Sequence, residues 1–140
     1  MSFNALVLYT ILSFFNDGMA IDSQISNDTY LIDTSGQVLY LYTDKLPQYP
    51  GGSFALSRFI DSTIKWPSED IDFEGTIVVS FVIDENGRIN DIKVINSKIS
   101  AIDQEAIRVV SQMPEWIPGV LDNKKVQTLL YLPVTFKLKE

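Results

Sequence analysis

The sequence contains no cysteine and no histidine. Without cysteine there is no disulfide framework, no thiolate nucleophile and no cysteine lipid anchor. Lacking both residues also excludes Cys/His zinc sites and the Ser-His-Asp and Cys-His nucleophilic arrangements. Any enzyme built on this chain would run on carboxylates, Lys, Tyr or hydroxyls. Positive charge is scarce too. Eleven Lys and Arg stand against eighteen Asp and Glu, giving a net charge of −7 and a pI near 4.5. That balance argues against nucleic acid and anionic membrane partners, which are held by basic patches. What is present is 140 residues, 46% hydrophobic and 11% aromatic. This is enough for one core in one domain.

The longest apolar run, Ala5 to Phe15, is too short for a transmembrane helix, which needs about 20 residues. It matches the apolar core of an export signal. Asn16-Asp17-Gly18 ends it, and Gly18-Met19-Ala20 puts small residues before a cut that leaves Ile21 first. No Lys or Arg precedes Lys45, so the usual basic flank is missing. Two readings follow: a signal peptide over residues 1–20, or a retained helix packed on a core or a membrane. The pattern favours the signal.

Residues 21–46 form an N-terminal extension with two short β-like runs, Tyr30–Ile32 and Val38–Tyr42, around a turn at Asp33-Thr34-Ser35-Gly36. The block Pro47-Gln48-Tyr49-Pro50-Gly51-Gly52 punctuates the chain, and the compact domain, residues 47–140, starts there. A helix is predicted over Ser53–Lys65, capped by Ser53, with Leu56, Phe59, Ile60 and Ile64 on one face. Gly75–Asp84 alternates as a strand with Ile77, Val79, Phe81 and Ile83 inward. Asp84-Glu85-Asn86-Gly87 is a turn, and the return strand Arg88–Asn96 slips in phase near Asn90-Asp91, the mark of a β-bulge. A second helix follows, with Asp103 as N-cap, an Ile102–Ile107 staple, and Ala106, Ile107, Val110 and Met113 buried. Trp116-Ile117-Pro118-Gly119 is a fixed turn and Asp122-Asn123-Lys124 a polar loop. The last strand, Val126–Leu138, alternates without a break, and Pro133, having no N–H, assigns it to a sheet edge or a bulge. The fold class is α+β: two helices on one face of a three-stranded antiparallel sheet, in the order α-β-β-α-β.

The pieces from Pro47 to Leu138 resemble the C-terminal domain of TonB and its relatives. They are Pro47-x-Tyr49-Pro50-Gly51-Gly52, Gly75-x-Ile77 to Asp84-x-x-Gly87, Asn96-Ser97, Asp103-x-x-Ala106, Met113-Pro114-x-Trp116-x-Pro118-Gly119 and Leu132-Pro133-Val134-x-Phe136. Six motifs in order span roughly two thirds of the chain. The resemblance implies a non-catalytic periplasmic domain, or one held in the cell envelope if residues 1–20 stay. It also implies a protein partner, a peptide of an outer-membrane transporter or a related periplasmic or envelope protein, recognised by strand addition, and a role in energy transduction for transport.

Strand addition needs unpaired edge N–H and C=O groups, with alternate side chains giving selectivity. On the last strand those residues are Gln127, Leu129, Tyr131 and Pro133. The competing reading is a plain edge protected by Pro133, Lys137 and Lys139. A related alternative is a structural domain whose strand edges pair between two copies as a homodimer. Tyr49 is either a partner contact or, more often for such a block, a packing residue. Asp70-x-Asp72-x-Glu74 lacks the register of a calcium loop and reads as a solvated acidic stretch. No metal site, cofactor site or catalytic carboxylate pair is visible. The β-prone run Val38–Tyr42 lies within reach of the last strand's edge and is a candidate to pair with it.

Overall fold

A computed structural model describes residues 30–32 and 36–137. The run at residues 5–15 and its cleavage site lie outside the described residues. So do the predicted turn residues Asp33 to Ser35 and the end of the last strand at Leu138.

The elements are β1 (Tyr30–Ile32), β2 (Val38–Tyr40), α1 (Gly52–Thr63), β3 (Gly75–Ile83), β4 (Ile89–Val94), α2 (Ser100–Ser111), β5 (Gly119–Leu121), β6 (Lys124–Val126) and β7 (Thr128–Phe136). Both helices and the α+β class agree with the sequence. The strand count does not: a five-stranded sheet runs β1-β2-β7-β3-β4, and β5 and β6 form a separate two-stranded sheet. The last strand, predicted over Val126–Leu138, starts at Thr128 instead, and Asp122 and Asn123 of the predicted polar loop both take positive φ, 51° and 63°. That is the backbone of a tight hairpin turn, so Lys124–Val126 pairs back on Gly119–Leu121 instead of continuing into β7.

The core is one layer between the sheet and the helices. Ile77, Val79, Phe81 and Ile83 of β3 are fully buried, as their alternation requires. The facing positions on β7 are Leu130, Leu132, Val134 and Phe136. From α1 come Leu56 and Ile60, and from α2 Ile102, Ala106, Val109 and Val110. The stripe on α2 therefore uses Ile102 and Val109, while Ile107 is only half-buried. The other face of β3 is buried as well, at Val78, Ser80 and Val82.

Both predicted helix caps are corrected. α1 begins one residue before Ser53, after Gly51 in the left-handed conformation (φ 88°), with no side-chain cap. The chain turns in on Gly51 and Gly52, both at positive φ, so no serine is needed to break the strand-like approach. α2 begins at Ser100 after an extended Ile99, which places Asp103 inside the first turn. There Asp103 reaches back to accept the Ser97 hydroxyl and the Lys98 amide, tying the loop to the helix. The bulge lies where the phase slips. Register shifts between Ser80 and Val82 of β3, and Asp91 of β4 sits at φ 51°.

An edge groove beside the last strand

β7 flanks β3 on one side, paired antiparallel over its whole length from Gly75↔Phe136 to Ile83↔Thr128. On the other side of β7, β2 pairs in parallel at one position, Tyr40↔Thr128. The Tyr40 amide donates to the Gln127 carbonyl at 3.0 Å. Among the described residues no strand pairs with β7 beyond that point.

Two independent bonds show which way the β7 backbone faces. Val78 accepts the Ile95 amide and donates its own N–H to Asn96 Oδ1, both on the β4 side. Its cross-strand partner Pro133 is therefore a non-hydrogen-bonded pair with it. The Gln127 carbonyl, turned toward β2, gives the same phase. Odd-numbered residues of β7 aim their backbone groups at the open edge, and even-numbered ones bond to β3. The missing N–H of Pro133 thus falls on the open side and costs the sheet nothing. Among the described residues, no strand stands against the outward N–H and C=O of Tyr131 and Thr135 or the C=O of Pro133.

This sorts the sequence-predicted residues. Gln127 lies outside β7, with its carbonyl already bonded to β2. Leu129, Tyr131 and Pro133 are half-buried and share the sheet face away from the helices. Their side chains flank the edge and their backbones form it. Burial pushes the Tyr131 phenol above its ordinary pKa, so it stays protonated. Tyr49 is buried at 8% exposure and meets the Trp116 ring edge-on at 5.6 Å, a core position. Trp116 is core as well, but its indole Nε1 makes no hydrogen bond among the described residues.

A cleft that the sequence did not reveal adjoins the edge. Its volume is about 320 Å³, and its walls are Leu46–Tyr49, the first residues of α1, Phe81, Trp116 and Leu130–Leu132. Leu130 and Leu132 face the helices while Tyr131 faces away, so the cleft meets β7 along its backbone. Its lining is assembled from four separate segments, and no local pattern announces it.

The Asp70, Asp72 and Glu74 carboxylates are exposed, with Ile71 and Phe73 between them turned toward the core. No group of acidic residues among those described could hold a metal ion. Among the described residues no helix is long and apolar enough to cross a membrane.

The model of the Gram-negative bacterial TonB protein C-terminal family matches residues 69–138, half of the chain. The chain belongs to the TonB C-terminal family. The family is a group of non-enzymatic, transport-associated periplasmic domains. Within this TonB C-terminal domain the matched segment carries β3, β4, α2 and β7, and hence the open edge. The Pro47–Gly52 block and α1 precede it. No curated protein and no solved structure matches the chain significantly.

Proposed function

We propose that this chain is a non-catalytic periplasmic module that takes up a partner peptide by strand addition along the outer edge of β7, in the service of outer-membrane transport. The observation that carries the reading is the phase of β7: the outward backbone groups at Tyr131, Pro133 and Thr135 have no strand against them among the described residues. The rival edge, β4, is a poorer template. It is shorter and is interrupted by the bulge at Asp91, which twists an edge away from regular pairing. Main-chain bonds would supply affinity, and the side chains beside the edge would supply selectivity.

Amide hydrogen exchange tests this residue by residue. In the free chain the Tyr131 and Thr135 amides exchange fast, while those of Leu130, Leu132 and Val134 are protected by β3. A peptide from the periplasmic end of an outer-membrane transporter then slows Tyr131 and Thr135. Equal protection of all five amides in the free chain overturns the open edge. Slowing that appears without peptide as protein concentration rises would favour pairing between two copies instead.

A further inference from the structure

The cleft next to β7 opens beside the free edge, along Leu130–Leu132. We propose that it is a side-chain pocket that reads one bulky apolar residue, Leu or Phe in size, of the strand added to β7. This inference rests on the strand-addition reading above and names the kind of peptide that edge prefers.

Directly paired residues on neighbouring strands project to the same face of a sheet. The residue of an added strand that pairs with Leu130 or Leu132 therefore projects toward the helices. There it meets the cleft between Pro47 and Tyr49 on one side and Ser53 and Leu56 of α1 on the other. None of the residues lining the cleft is charged. In a chain of net charge −7, an uncharged, largely apolar recess against a backbone edge selects against charged side chains, which would lose their hydration without gaining a partner. Its volume, about 320 Å³, exceeds that of any single side chain, so a Leu or Phe enters without overpacking the wall. Residues on either side of this anchor point to the opposite face, beside Leu129, Tyr131 and Pro133, and are read less strictly.

Two measurements on the full chain test it. The first uses short host peptides of alternating Thr and Val with terminal Lys, differing in one central guest residue. Leu or Phe as guest binds about tenfold or more tighter than Ser, the ratio expected for burying such a side chain. Ser53→Trp, an exposed position at the cleft mouth, brings the Phe and Ser guests to equal affinity. The second titrates N-acetyl-phenylalaninamide, which cannot extend a sheet, and follows amide resonances. Shifts concentrate at Ser53 and Leu130–Leu132. Host peptides that bind with no preference for the guest, or a probe that shifts resonances elsewhere or nowhere, overturn the pocket and leave strand addition standing. If no host peptide binds at all, strand addition fails and the pocket fails with it.

Discussion

A Cβ added to Gly87 would stand 1.9 Å from the carbonyl oxygen of Trp116. Gly87 also sits at φ 83°, and its own carbonyl accepts the Trp116 amide at 2.8 Å. One residue thus closes the β3–β4 turn and docks the segment after α2 onto it. Asp84 completes the turn by accepting the Asn86 and Arg88 amides. Gly87→Ala combines a disfavoured backbone region with a backbone clash, so it costs at least about 1–3 kcal/mol in urea unfolding. A loss under half a kcal/mol would mean the turn relaxes freely. Phe81 is fully buried and packs edge-on against Trp116, so Phe81→Ala costs about 3–5 kcal/mol. A loss below about 1 kcal/mol would mean that the inward face of β3 is assigned wrongly. Trp116→Phe behaves differently. Among the described residues the indole N–H has no partner, so the change removes volume but no hydrogen bond. It costs less than Phe81→Ala in the same assay. The reverse order would place a hidden partner on Nε1.

At the scale of elements, the junction of the two helices turns on Glu105. Its side chain accepts the Lys65 amide at 2.7 Å just past α1, and Arg108 Nε and Nη2 at 2.8 and 2.6 Å. Arg108 in turn donates to the Thr63 carbonyl at the end of α1. Burial alone would raise the Glu105 pKa, but the Arg108 and Lys65 hydrogen bonds and the Arg108 charge outweigh it and hold the carboxyl below its ordinary value. A carboxyl lowered on folding adds stability above its unfolded pKa of about 4.3, and that stability is lost as pH falls through the lower folded value. The urea midpoint therefore falls with acidification below about pH 4.3, and Glu105→Gln flattens this part of the profile. An unchanged acid limb in the variant would remove Glu105 from the account. This junction was not legible in the sequence: its bonds join Glu105 and Arg108 of α2 to Lys65 and Thr63, 40 and 45 residues away, and no local pattern marks such a contact. The strands were legible where one face alternates, as at Ile77 to Ile83, and the Asn90-Asp91 slip marked the bulge. The caps were misread because Ser53 and Asp103 are good capping residues locally. The glycine turn at Gly51-Gly52 and the Ser97–Asp103 contact decide the helix starts instead. The β5–β6 hairpin was missed because Asp122-Asn123 lacks the glycine that usually marks such a turn.

At the scale of the whole molecule, the open edge and the chain before the domain are coupled. Pro133 made β7 an edge in the sequence, and the pairing phase gives the reason. The cleft beside it could not be read, since it needs four distant segments at once. β2 already pairs with the start of that edge through Tyr40, and β1 pairs with β2 in turn. The Gln127 carbonyl is therefore occupied, and a peptide running along β7 from its C-terminal end is stopped at Thr128. The hold is slight, a single parallel register position, and β2 is tethered to the domain by a short segment. Local concentration keeps such a strand in place, on the order of millimolar for a short linker, more than intrinsic affinity does. Thr43, in contrast, is buried, and the Asp44 carboxylate accepts the Asp122 amide of the β5–β6 turn. Truncation must therefore spare Thr43 onward to leave the domain intact. Deleting residues 21–42 frees the Gln127 carbonyl and lengthens the available edge by one outward-facing residue, Leu129, and its neighbours. Affinity for an added strand peptide then rises severalfold, a gain of about one or two net hydrogen bonds, or the shortened chain self-associates through the same edge. Titration calorimetry and sedimentation read the two outcomes separately. A truncated chain that stays monomeric and binds no better would show that β2 does not compete for the edge, and that its contact at Tyr40 only anchors the extension to the domain.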